Sequence, residues 1–145
     1  MSKFSKNLFH CWHPVAYSHE VPPDAPYGST LLNEALVVWR TSDGVPHAMQ
    51  DLCIHRGTAL SKGRLKDDCV VCPYHAWHYN AEGACVKIPQ KVDSTQVPSK
   101  ARVPAYRTLE RYGLIWVALE DPMFSLPELP ELEEETWKIV LTGPF

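Results

Sequence analysis

The 145-residue sequence has no long apolar segment. Its longest uninterrupted apolar run is Leu114-Ile115-Trp116-Val117-Ala118-Leu119, whereas a spanning helix needs about 18 apolar residues or more, so no membrane role is expected. A basic excess is missing too. Lys+Arg 14 against Asp+Glu 17 leaves a net charge of −3, which argues against nucleic acid as a main partner. The start, Met1-Ser2-Lys3-Phe4-Ser5-Lys6-Asn7, is positive but has no apolar stretch behind it. No signal peptide is expected, and a cytoplasmic location follows. Cysteine is sparse and odd in number, at five. In a reducing compartment, disulfides are not the expected use for them. Histidine is absent from the whole second part of the chain: all seven lie at or before His78.

What is present points to a packed β domain. Hydrophobic residues make up 45% and charged residues 21%, an ordinary globular balance for one domain spanning 1–145. Residues 1–35, rich in aromatics, Pro and His, read as an initial strand and an irregular loop. From Leu36 onward, short β-rich runs alternate with turn signals. Leu36–Arg40 pairs with Val45–Leu52 across Thr41-Ser42-Asp43-Gly44, where Gly44 supplies a positive φ. Further strands are expected at Cys69–Cys72, Trp77–Asn80 and Ala84–Ile88. Ala105–Leu109 and Leu114–Leu119 flank a turn at Arg111-Tyr112-Gly113. With 13 prolines and no helical period before the tail, the pattern predicts an all-β antiparallel sandwich or barrel-like fold. The acidic, Pro-broken segment 121–145 reads as a linker or interface strap.

Two loops share one grammar. The first is Cys53-Ile54-His55, followed by Arg56-Gly57; the second is Cys72-Pro73-Tyr74-His75, followed by Ala76-Trp77. Each offers one thiolate and one imidazole after a β-rich run that would hold it rigidly. Such a set suits a zinc site or an iron–sulfur cluster. A zinc finger usually gathers its thiolates in one knuckle and its histidines on a helix. An even split of Cys and His between two loops instead suits a dinuclear cluster with Cys₂ on one iron and His₂ on the other, the ligand set of a Rieske [2Fe–2S] centre.

The stretches Cys53–Gly63 and Cys72–Tyr79, continued by Gly83–Pro89 and Arg111–Val117, resemble the N-terminal domain of Rieske non-haem iron oxygenases. The resemblance is nearest to the branch with phthalate dioxygenase and the vanillate and purine-alkaloid demethylases, and it covers most of residues 8–130. It implies a Rieske-type antiparallel β-sandwich with a small cluster-binding subdomain of two loops at about 50–90, held on a [2Fe–2S] cluster by Cys53, His55, Cys72 and His75. It further implies an electron-transfer domain of an aromatic-ring-hydroxylating or demethylating oxygenase, fed by a flavin- or ferredoxin-type reductase or a ferredoxin. The family's mononuclear Fe(II) site uses two His and one carboxylate in a C-terminal domain, commonly in a trimer. With no histidine after His78, that site is expected only in a longer protein, of which this chain is the Rieske portion. This chain alone is expected to transfer electrons and to contain no catalytic residue.

One departure is Ala76, where the family usually has Gly. A positive φ there would cost Ala about 1 kcal/mol. High-potential respiratory Rieske proteins place a Ser and a Tyr two and four residues after the second ligand histidine. This chain has Trp77 and Tyr79 there, and Thr58 and Tyr74 where those proteins form an extra disulfide, so a potential in the lower part of the Rieske range is expected.

The remaining candidates are weaker. His10-Cys11-Trp12-His13 looks like a metal loop without a second half, and His78 and His75 would point to opposite faces of an extended strand. Cys69 and Cys85 fit small buried hydrophobes. A standalone Rieske ferredoxin is a second expectation, and a zinc-stabilised binding module a third.

Overall fold

The computed structural model describes residues 5–91, 97–133 and 140. Among them there are ten strands and a few short 3₁₀ turns. The strands are β1 (His13–Tyr17), β2 (Tyr27–Leu31), β3 (Glu34–Arg40), β4 (Pro46–Gln50), β5 (Arg64–Lys66), β6 (Cys69–Val71), β7 (His78–Tyr79), β8 (Cys85–Lys87), β9 (Ala105–Arg111) and β10 (Leu114–Ala118). They form a six-stranded antiparallel sheet, ordered β1-β10-β9-β4-β3-β2, and a four-stranded one, ordered β5-β6-β7-β8. The expected all-β fold is what forms.

The β3 sequence explains how the sheets stack. Leu36, Val37, Val38 and Trp39 are all buried, an unbroken apolar run that marks a strand covered on both faces. Alternate side chains go opposite ways. Leu36 and Val38 join Ala16, Leu31, Ala48, Ile115 and Val117 in the core of the large sheet. Val37 and Trp39 join Met49, Leu60, Val70, Tyr79 and Cys85 in the layer between the sheets. The large sheet curls on itself: Ser29 Oγ on one edge strand donates to the Val15 carbonyl on the other at 2.8 Å. Arg40 ties β3 to β9, its guanidinium donating twice to the Glu110 carboxylate at 2.8 Å.

Two strands lie outside the runs that the sequence marks. β2 falls in the stretch read as irregular, and β5 precedes the Cys69 run. Both hairpins turn without glycine, on Leu32-Asn33 (φ 50° and 68°) and Asp67-Asp68 (φ 51° and 60°). The small sheet needs glycine just ahead of β5. A Cβ on Gly63 would lie 2.0 Å from the Val71 carbonyl oxygen, so only glycine lets the chain pass there. Of the acidic segment, the part to residue 133 is described. Leu126 is buried, and Tyr112 Oη donates to the Pro127 carbonyl at 3.0 Å while accepting from the Leu129 N–H at 2.7 Å. Residues 134–139 and 141–145 lie outside the described residues.

Candidate metal centre

Each candidate loop grows from the end of a buried strand, the first from β4 and the second from β6. Their backbones close in the same way. Gly57 N–H donates to the Cys53 carbonyl at 2.8 Å, and Cys53 N–H donates to the Thr58 carbonyl at 2.8 Å. In the second loop Ala76 N–H donates to Cys72 at 3.0 Å, and Cys72 N–H donates to Trp77 at 2.9 Å. The equivalent residues Gly57 and Ala76 both take positive φ, 72° and 55°. The departure noted at Ala76 therefore falls on a left-handed residue, where a Cβ is strained by roughly 1–2 kcal/mol. The ligand spacing differs by one residue, yet both turns span five.

This closure buries the sulfurs and leaves the imidazoles near the surface. Cys53 and Cys72 are each 1% exposed, while His55 and His75 are only partly buried. The two rings meet edge-on at 4.5 Å. Trp77 stacks on His55 at 4.6 Å with the planes 5° apart, and Tyr74 lies 3.9 Å from the His75 ring. Four rings thus form one continuous row over the buried thiols. The sequence did not reveal the part played by Trp77 and Tyr74, although their places beside His75 were a usable signal. Beneath the row, Tyr79 Oη sits 3.2 Å from Cys53 Sγ. Burial, more than the Cys53 sulfur beside it, holds the Tyr79 phenol well above its usual range, so it stays protonated.

The donor chemistry fits a metal cluster. Burial pushes the Cys72 thiol up, against backbone N–H groups of Tyr74 and His75 that favour its thiolate. A bound metal offsets that desolvation and draws off the proton. Burial, then His75 and Arg56, lower the His55 pKa, favouring the neutral imidazole. His55 Nδ1 is buried without a hydrogen-bond partner, an expensive arrangement unless something else takes its lone pair. A single ion fits less well. Among the described residues, no three His, Cys, Asp or Glu side chains are gathered as one metal ion would need. Two protein donors per iron, with sulfide completing each iron, need no such gathering.

The other candidates are otherwise engaged. His10 Nε2 pairs with Glu120 at 3.1 Å, and its Nδ1 lies 2.9 Å from the Asp121 carbonyl oxygen. His13 Nε2 lies 2.8 Å from the Leu8 carbonyl oxygen, and Cys11 Sγ donates to Asn7. His78 is buried within β7 opposite Val71 and Lys87. Cys69 and Cys85 are buried, and burial pushes the Cys85 thiol up to about 11.

Known proteins match the same region. Residues 11–107 match the model of the Rieske [2Fe-2S] domain. The chain is 36% identical over 118 residues to the iron-sulfur subunit TsaM1 of the Comamonas testosteroni toluene-4-sulfonate monooxygenase system, covering 81% of this chain and 33% of that one. It is 38% identical over 146 residues to the methylxanthine N1-demethylase NdmA of Pseudomonas putida, covering 95% and 41%. Among solved structures, Pseudomonas putida NdmB superposes with a TM-score of 0.82 at 30% identity over 91% of this chain and 42% of that one. The chain thus spans about a third to two fifths of the length of these relatives. A β-sandwich topped by two equivalent Cys/His loops, matched from Cys11 to Arg107, places this chain in the Rieske [2Fe–2S] domain family.

Proposed function

We propose that Cys53 and Cys72 ligate one iron and His55 and His75 the other, and that the domain relays single electrons within a larger oxygenase. The bound cluster supplies one-electron redox chemistry. The rest is the work of this chain. The buried thiolates fix one end of the site in a dry layer, and the closing hydrogen bonds hold each loop in its own turn. The imidazoles face outward, so the electron leaves or enters through them. Each can spend one nitrogen on iron and offer the other to a partner's carboxylate. The observation that carries this proposal is the buried, unpartnered His55 Nδ1 beside two buried thiols.

The electron's source is a reductase or ferredoxin, and its destination is a mononuclear iron in a part of the oxygenase beyond this chain, within a trimer. An oxygenase context is supported by the relatives, which are an iron-sulfur subunit of a monooxygenase system and a demethylase. A cleft of about 560 Å³, lined by residues including His10, Glu82, Tyr106, Arg107 and Glu120, is lined by none of the four candidate ligands.

The test is replacement of Cys53 or Cys72 by Ser. Each variant should be colourless and poorly soluble, because the metal contributes directly to folding. Wild-type visible absorption in either would overturn the ligand assignment. Reductase-dependent oxygenation of an aromatic substrate by this chain alone would overturn the relay role.

A further inference from the structure

The small sheet carries a band of positive charge in a chain whose net charge is −3. Arg64 on β5 lies opposite Val71 on β6, Val71 opposite His78 on β7, and His78 opposite Lys87 on β8. Residues directly opposite in antiparallel strands share a face, so these four make one row across the sheet. Val71 and His78 are buried in its middle, and Arg64 and Lys87 are exposed at its ends. Lys66 stands two residues from Arg64 on the same face of β5 and is exposed as well. All three cations lie near His78: after burial itself, Lys87, Lys66 and Arg64 each depress its pKa, against Asp67 alone. None of the three forms an ion pair among the described residues.

The row's position gives the charge a use. Val71 is the residue before Cys72, and His78 is the residue after Trp77. The row is therefore the rung of the small sheet next to the second ligand loop. The acidic turn at Asp67-Asp68 is at the opposite end of the β5–β6 hairpin, and the Asp68 carboxylate there accepts hydrogen bonds from Ser42 N–H at 2.7 Å and Ser42 Oγ at 3.1 Å. Protection of a sheet edge explains charge of either sign on β5. β8 is the sheet's other edge, so protection accounts for a charge there too, but not for a cation at both ends of the rung next to the ligand loop.

We propose that the exposed cations at the two ends of this row, Arg64 and Lys87, with Lys66, are the docking contacts for an acidic protein electron donor. The inference rests on the relay function above and names the partner for that site. Without a local reversal of sign, a net negative chain would repel such a donor at long range. With it, the donor is steered to the rung beside Cys72, and the encounter rate becomes dependent on salt.

The probe is a [2Fe–2S] ferredoxin of strongly negative net charge, mixed in reduced form with the full 145-residue chain carrying its cluster. Arg64→Glu/Lys87→Glu should lower the second-order rate of cluster reduction at low ionic strength about tenfold or more, and flatten its salt dependence. Lys6→Glu, at the start of the chain and outside the small sheet, should stay within about twofold, the scale of one distant screened charge. Visible spectrum and midpoint potential are recorded for every variant. An unsubstituted chain that binds no cluster contradicts the ligand assignment. A chain with an intact cluster, reduced at wild-type rate and salt slope after charge reversal, overturns the docking assignment alone. An equal loss in Lys6→Glu overturns it too. So would loss of single-stranded oligonucleotide binding with the reduction rate unchanged.

Discussion

Replacing Tyr79 by Phe removes one oxygen and nothing else from the site. In the folded chain that oxygen is 3.2 Å from Cys53 Sγ, and both residues are buried. The phenol stays protonated because burial holds its pKa well above the usual range. With Cys53 bound as thiolate in the proposed cluster, the phenol is the donor. Reduction adds one negative charge to the cluster and strengthens that hydrogen bond. A bond to a charged acceptor is worth about 1 kcal/mol more than one to a neutral acceptor. Since about 1.4 kcal/mol corresponds to 59 mV for one electron, the midpoint should fall by about 40 mV. The assay is a spectroelectrochemical titration at fixed pH, with the visible spectrum confirming an intact cluster. Tyr106→Phe is the control, because its hydroxyl bonds Glu34 rather than a candidate ligand. A Tyr79→Phe midpoint within about 10 mV of wild type, far below the hydrogen-bond effect, would refute the reasoning.

Other expectations test the frame around the site. Ala76→Gly removes a left-handed Cβ at φ 55° and frees the unfolded chain. The strain relief of about 1–2 kcal/mol exceeds the entropic loss of about 0.4–1. A net gain of about 0.5–1 kcal/mol should raise the melting temperature by a few degrees, and a lower one would contradict the strain argument. Hydrogen bonding from Arg40 depresses the Glu110 carboxyl below its usual 4.5. A depressed carboxyl stabilises the fold above its unfolded pKa, and that contribution is lost as pH falls through the folded value. Glu110→Gln should therefore lower the urea midpoint at about pH 7 and lower it by progressively less as the pH falls through the acid range. An equal loss throughout would show that the pair acts through packing alone.

Hairpins were legible in the sequence where their turns are spelled with glycine. Gly44, Gly83 and Gly113 all have positive φ, and the hairpins around them lie where the pattern placed them. β2 and β5 were missed because Leu32-Asn33 and Asp67-Asp68 take left-handed conformations at residues without that signature. A tertiary contact maintains the second: Asp68 is held by Ser42. The Cys and His pairs were legible as spacing. The match between Gly57 and Ala76 was not, because it depends on which carbonyl each N–H reaches. The aromatic row and the unpartnered His55 Nδ1 were equally hidden, since stacking and burial arise only once both loops are brought together.

The central claim is that two imidazoles, those of His55 and His75, bind one iron of a two-iron cluster. The most direct measurement is pulsed electron paramagnetic resonance on the reduced chain, labelled with ¹⁵N at histidine. Two strong nitrogen couplings are expected, with iron and acid-labile sulfide in equal amounts, and both couplings should persist in His78→Gln. Absence of nitrogen coupling, or loss of one coupling in His78→Gln, would contradict the account.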